Sequence, residues 1–362
     1  MNQEFNLNEY LSAGIENIVK GAIQATLTNP RESVFIAKFS LDCKKAATLR
    51  KKLEMDGEHI PPFLIASITS MCNLHCKGCY ARANQTCVDK EMEGQLKVDD
   101  WEGIFSQAAQ LGVSFILLAG GEPLMRREVI LTAAGFKNIM FPIFTNGTML
   151  DREYLQLFHR NRNLLPVLSM EGDEKTTKER RGEGVAQVLA GAMASMKEKA
   201  IFYGVSITVT KNNLKVVTEE KFLKSIYESG CKLVFYIEYV PADEMSADIA
   251  PSEEDRIYLE HKLLKLRAKF LDMIFISFPG DEKGTGGCLA AGRGFFHINP
   301  AGGAEPCPFS PYSDSSLKTM RLRDALKSPL FGKLKDSQLL KGEHTGGCVL
   351  FEQRESVKDF LN

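Results

Sequence analysis

Phe63-Leu64-Ile65-Ala66-Ser67-Ile68-Thr69 is an apolar run, and it opens onto Ser70-Met71-Cys72-Asn73-Leu74-His75-Cys76-Lys77-Gly78-Cys79. The first part has the length and composition of a strand in a parallel sheet. The loop after it carries three cysteines spaced CxxxCxxC. Three thiolates in one short loop can converge on a single metal cluster. Their number is informative, because a cubane [4Fe–4S] cluster has four irons and three cysteines leave one iron free for a ligand from outside the protein. A structural zinc ion would need a fourth donor to close its tetrahedron, and His75 lies too close to its neighbours in the loop to serve well.

Working outward, short apolar segments alternate with amphipathic ones. Candidate strands follow at Ser114–Leu118, Ile139–Phe144, Leu165–Met170, Phe202–Val209 and Leu233–Tyr239, with helical patterns at Trp101–Leu111, Tyr154–Arg160, Val185–Ala200 and Phe222–Glu228 between them. Strand-then-helix units of this kind need crossover connections, which makes the class α/β with a parallel sheet. Six such units over residues 61–272 are too few for a closed eight-stranded barrel, so the spacing predicts a partial (β/α)6 barrel. Its chemistry is expected at the C-terminal ends of the strands.

Residues 1–60 read as an N-terminal helical extension. Leu11, Ile15, Ile18, Val19, Ala22 and Ile23 recur at helical spacing, and Asn29-Pro30 breaks the run before a Lys-rich second helix. The polar face is not strongly basic, so the stripe is read as packing onto the main domain rather than onto a membrane.

Net charge is −1, with both signs interleaved, which argues against nucleic acid as a partner. No apolar run reaches the length of a membrane span, and Met1-Asn2-Gln3-Glu4-Phe5 lacks the basic start of an export signal. The protein is therefore expected in the cytoplasm, where nine cysteines suggest metal ligands, catalytic groups or core residues before disulfides.

Each expected strand end carries a further motif. Gly120-Gly121-Glu122-Pro123 follows the second strand, Thr145-Asn146-Gly147 the third, and Ser169-Met170-Glu171-Gly172 the fourth, with Arg181-Gly182 beyond it. Glycines let the backbone approach closely, and a carboxylate with carbonyls can receive an ammonium group. The fifth strand contains Thr208, and after the sixth come Glu238, Tyr239, Asp243 and Glu244, the weak candidates for an acid or base. Residues 273–362 form a glycine-rich C-terminal segment in which Cys288, Cys307 and Cys348 are each flanked by glycine or proline. Such flanks suit thiolates whose loops must turn around a cluster. Cys87 is read as inert and Cys43 and Cys231 as core residues; Lys283 and Arg293 near Cys288 stay ambiguous.

Taken together, the CxxxCxxC loop after the first strand and the motifs behind it resemble the radical S-adenosylmethionine enzymes over about residues 61–350. The resemblance implies that Cys72, Cys76 and Cys79 ligate a [4Fe–4S] cluster whose open iron is chelated by the methionine half of S-adenosylmethionine. An electron from that cluster then cleaves a carbon–sulfur bond to give the 5′-deoxyadenosyl radical. It further implies that Tyr80, Gly120, Gly121, Glu122, Pro123, Asn146, Ser169, Arg181 and Thr208 line the cofactor. Ser169 and Arg181 would meet the ribose and the methionine carboxylate. Two departures stand out: Gly78 replaces the aromatic or histidine common before the third cysteine, and Glu171 replaces the usual aspartate. The C-terminal segment resembles the SPASM and twitch modules in a one-cluster form, with Cys288, Cys307 and Cys348 as ligands of an auxiliary [4Fe–4S] cluster.

The function this implies is abstraction of a substrate hydrogen, followed by oxidation or rearrangement with help from the auxiliary cluster. The electron would come from a reductant such as flavodoxin or ferredoxin. A peptide or protein maturase is the alternative within the superfamily, and a non-catalytic iron–sulfur electron carrier the alternative outside it. Gly120–Pro123 and Arg181 favour an enzyme, since a carrier needs no site for an amino acid's head group. The helical start, unlike the strand-rich start of a leader-peptide binder, leans towards a small molecule or a folded protein as substrate.

Overall fold

The computed structural model describes residues 6–90, 92–242, 244–282, 285–341 and 347–361. Seven parallel strands form the body of one sheet: β1 (Phe63–Thr69), β2 (Phe115–Gly120), β3 (Phe141–Thr145), β4 (Leu164–Met170), β5 (Gly204–Val209), β6 (Leu233–Glu238) and β7 (Ile274–Phe278). They stand in sequence order, and beyond β1 the sheet continues with β8 (His297–Ile298) and β9 (Ala304–Glu305). β8 runs parallel to β1 through Ile65↔His297 and Ala66↔Ile298, and β9 returns antiparallel. The order never closes on itself, so the architecture is the open parallel α/β sheet expected from the spacing. The six expected strands are present within a few residues of their expected limits. β7 is an addition, a short run at the start of the C-terminal segment with no motif behind it to announce it.

Side-chain alternation along the strands separates two faces. Leu64, Ala66, Ile116, Leu118, Phe141 and Ile143 join the core that includes Trp101, Ile104 and Phe105 of the crossover helix Val98–Leu111. The opposite face presents Phe115, Leu165, Val167, Leu233 and Ile274 near the strand starts. Two N-terminal helices, α1 (Leu7–Ala25) and α2 (Pro30–Met55), cover this second face. Both begin on asparagine caps: Asn6 accepts the Glu9 N–H and Asn29 the Glu32 N–H, with Pro30 at the first helical position. Ile15, Val19 and Ala22 of α1 and Ile36, Phe39 and Cys43 of α2 pack into the same cluster as those strand residues. A buried ion pair adds to the anchorage: Arg162, which precedes β4, donates to Glu32 of α2, and Glu32 also accepts the Phe202 N–H at 3.3 Å. Removing one member of such a pair typically costs about 3–5 kcal/mol.

The two helices fill the sheet's second face only at the strand starts. Towards the strand ends the same face turns small and polar. Ser67 lies opposite Ala119, and Ser169 lies opposite Ser206, which shares its side of β5 with Thr208. Among the described residues no helix is long and apolar enough to cross a membrane.

Candidate active site

The cysteine loop leaves the end of β1, and the turn after β2 lies directly against it. The Gly121 N–H donates to the Thr69 carbonyl at 2.8 Å and the Glu122 N–H to the Met71 carbonyl at 2.7 Å. A Cβ on Gly121 would stand 1.9 Å from the Met71 oxygen, and one on Gly120 2.3 Å from the Thr69 oxygen with φ at +123°. Only glycine permits this contact. Pro123 then starts the short turn Pro123–Met125 and is buried.

Glu122 does not project into the open mouth. Its carboxylate is 1% exposed and accepts the Leu124 N–H at 3.0 Å, the Thr145 hydroxyl at 2.6 Å and the Asn146 N–H at 2.8 Å. Burial pushes it up to about 7 in spite of those donors. It therefore ties the turn after β3 to the turn after β2. Asn146 extends the tie, its Nδ2 donating to Asn73 Oδ1 of the cysteine loop at 2.9 Å while its own Oδ1 accepts from Thr148.

Glu171 and Arg181, met separately in the sequence, are partners. Glu171 Oε1 accepts from Arg181 Nε at 2.7 Å and from Arg180 Nη1 at 2.6 Å, and the carboxylate is buried. The remaining Arg181 nitrogen, Nη1, points at Cys76 Sγ, 3.9 Å away. The Lys77 N–H donates to the Arg180 carbonyl at 2.8 Å, fastening the helix Glu174–Arg181 to the cysteine loop. Ser169 Oγ pairs with Ser206 Oγ at 3.1 Å, and both Ser169 and Thr208 are partly exposed.

The three loop cysteines are half-buried and free. Burial raises the Cys76 thiol, whereas Cys72 is held well below the usual thiol range, first by a hydrogen bond from Cys87. Cys87, inert on the sequence reading, is a neighbour of Cys72 here. No local pattern could have found it, because its approach depends on the Val88 N–H donating to the Ser70 carbonyl at 2.8 Å. His75 turns outward to Asp89 at 3.0 Å, with both side chains exposed. At Gly78 a Cβ would lie 2.2 Å from the Tyr239 hydroxyl, so that ring occupies the space a side chain before the third cysteine would need. Tyr239 is buried, and its hydroxyl bonds to Ser246.

Of the other candidates after β6, Glu238 Oε1 accepts from Arg256 Nε at 2.8 Å and from the Gly347 N–H at 2.8 Å, which clamps the loop leading into Cys348. Asp243 and Lys283 lie outside the described residues, and so does the Glu244 side chain.

Cys288, Cys307 and Cys348 come together from three separate loops. Cys307 donates to Cys348, and both are close enough to Cys288 to act on its charge or be acted on by it. Backbone N–H groups a short way ahead lie near enough to favour the thiolates: Ala290 for Cys288, Phe309 for Cys307, Leu350 and Phe351 for Cys348. The Leu74 N–H does the same for Cys72 at 3.5 Å. Sulfurs placed to receive hydrogen bonds in this way are suited to bind iron as thiolates. Among the described residues no group of three or more donors closes on a single ion; a cubane asks for wider-set sulfurs, one per corner. The two loops meet through Tyr80, which follows Cys79 and stands 4.9 Å, edge to face, from Phe309. A further polar chain went unforeseen: Ser67 Oγ meets His297 Nε2 at 2.7 Å, and His297 Nδ1 meets Glu305 at 2.6 Å, all three buried on the face that holds Ser169.

An open parallel α/β sheet with a three-cysteine loop at the end of its first strand defines an S-adenosylmethionine-type radical enzyme scaffold. The family model of the Radical SAM superfamily matches residues 66–224, and the chain belongs to that superfamily. Members of the superfamily bind a [4Fe–4S] cluster and S-adenosylmethionine. The AdoMet-dependent heme synthase of Methanosarcina barkeri is 27% identical over 312 residues, covering 78% of this chain and 87% of that protein. A probable GTP 3′,8-cyclase of Methanococcus vannielii is 30% identical over 254 residues, or 64% of this chain and 80% of the relative. Among solved structures, SuiB of Streptococcus suis shares the fold with a TM-score of 0.65 at 17% identity, over 89% of this chain and 78% of its own.

Proposed function

We propose that this chain is a radical S-adenosylmethionine enzyme that removes a hydrogen atom from its substrate and completes an oxidation or rearrangement with the help of a second [4Fe–4S] cluster at Cys288, Cys307 and Cys348. The observation that carries the reading is the convergence of those three thiols, from loops far apart in the chain, beside a separate three-cysteine loop. The donor sets fit the groups: three thiolates each, glycines giving close access, and the Arg181 guanidinium at Cys76 to offset a cluster's negative charge.

When bound, the first cluster supplies the electron that cleaves S-adenosylmethionine and so yields the hydrogen-abstracting radical. The chain's own residues prepare for that event. In this reading backbone carbonyls of Gly120 and Gly121 would receive the ammonium group, while Glu122 and Asn146 keep that turn in register with the cysteine loop. Arg181 Nη1, the guanidinium nitrogen that Glu171 does not engage, carries two N–H groups and would serve both Cys76 Sγ and a carboxylate. Ser169 and Thr208 lie on the face where a ribose and adenine would rest. Tyr239, packed on Gly78, supplies an aromatic wall that the loop itself lacks.

A small-molecule substrate is supported by the relative matched over most of both chains, the AdoMet-dependent heme synthase. A peptide substrate is the second reading, supported by likeness to a PqqA peptide cyclase of Granulibacter bethesdensis at 23% identity. Anaerobically prepared protein should carry about eight irons per chain, and reduced protein given S-adenosylmethionine should release 5′-deoxyadenosine. About four irons, unchanged when Cys288, Cys307 and Cys348 are replaced by alanine, would remove the second cluster.

A further inference from the structure

Three thiols account for three corners of a four-iron cubane, and the fourth corner needs another donor. One side chain near Cys288 is built as though something were missing from it. Glu282 lies on the turn Gly280–Glu282 just after β7 and is 8% exposed. The backbone N–H of Leu289, the residue after Cys288, lies near enough to favour its charged carboxylate. Its Oε1 is buried without a hydrogen-bond partner.

The neighbouring cation favours the charged carboxylate but makes no hydrogen bond to it. The Arg293 guanidinium is spread over backbone carbonyls, bonding to Cys288, to Thr285 at 3.0 Å and to Leu340 at 3.4 Å. Cys348 is close enough to add like charge when ionised. A buried carboxylate oxygen left bare is costly, more so as an ion than a neutral polar group would be. An orphan of this kind in a well-packed site calls for a partner that the polypeptide does not supply.

We infer that Glu282 is the fourth protein ligand of the auxiliary cluster, its free carboxylate oxygen binding the iron that Cys288, Cys307 and Cys348 leave open. This rests on the reading of a second cluster given above. Iron takes carboxylate oxygen as well as softer thiolate ligands, and Cys288 and Cys348 lie within electrostatic reach of the acid. The consequence is functional: an auxiliary cluster closed by four protein ligands has no corner for substrate, so its role is to take up an electron rather than to anchor the molecule being oxidised.

The test uses full-length protein in which Cys72, Cys76 and Cys79 are all alanine, leaving the auxiliary cluster alone. That protein should hold about four irons; none at all would overturn the second-cluster reading together with this inference. With the iron present, adding Glu282→Gln should leave one iron loosely held. After brief ferricyanide oxidation, the three-iron signal in electron paramagnetic resonance should rise roughly tenfold over the Glu282 parent. Glu282→Cys should suppress that signal again, which a merely structural acid would not achieve. An unchanged three-iron fraction in Glu282→Gln assigns the fourth corner elsewhere while the cluster itself stands. Should Glu282→Gln fail to fold, Mössbauer spectra of the parent decide. One iron distinct from three thiolate-bound ones supports the inference, and four alike overturn it.

Discussion

The two cysteine sets of this chain solve one chemical problem in opposite ways. Cys72, Cys76 and Cys79 share a single short loop and remain half-exposed, whereas Cys288 and Cys307 are buried and meet Cys348 only because the chain folds back across three loops. The first arrangement suits a cluster that must admit an exchangeable ligand from solvent. The second suits one that is kept, with its surroundings fixed by packing. Local spacing specifies the first, and the tertiary fold specifies the second.

The contrast can be broken or sharpened by experiment. Cys76→Ala should abolish 5′-deoxyadenosine release and lower iron from about eight to about four per chain, measured anaerobically; retention of both would end the assignment of the loop. Gly121→Ala puts a methyl against the Met71 carbonyl and must displace the cysteine loop. A cleavage rate lower by about 100-fold is expected, since a 1 Å misplacement costs roughly that much. Arg181→Met should raise the KM for S-adenosylmethionine roughly tenfold with a smaller change in kcat, the loss of one charge-assisted contact. A chelator added to the oxidised protein should strip iron in two phases, the exposed loop first and the buried set roughly fivefold more slowly, followed by absorbance. Equal rates would erase the distinction drawn between them. The smallest effect is expected at the seam between the sets, where Tyr80→Leu loses the edge-to-face contact with Phe309 and about 1 kcal/mol in denaturant unfolding.

What was legible in the sequence follows the same division. β1 could be read as Phe63–Thr69 because its apolar run and the cysteine loop after it are contiguous, and the glycine pair after β2 announced itself by position. β7 escaped because Ile274–Phe278 is short and no motif follows it. The partnership of Glu171 with Arg180 and Arg181 was hidden because spacing along the chain does not show that a helix turns its last residues back over the strand end. Glu122 could be found from its motif but not its orientation, which depends on the Thr145 and Asn146 donors of another strand. Cys87 and Glu282 had no local signal at all. Each becomes visible only when another backbone stretch, Ser70 for one and Leu289 for the other, is brought alongside.

β8 has a consequence beyond holding His297 in place. Its pairing with β1 occupies the outer row of amides and carbonyls on the strand that feeds the Cys72 loop, including the Ile65 N–H bond to the Phe296 carbonyl at 3.0 Å. Without the C-terminal segment, that margin of the sheet would be bare and sticky towards other strands. The segment thus doubles as a selvedge: excising it for use as a separate iron-binding unit would unravel the hem of the sheet it was cut from.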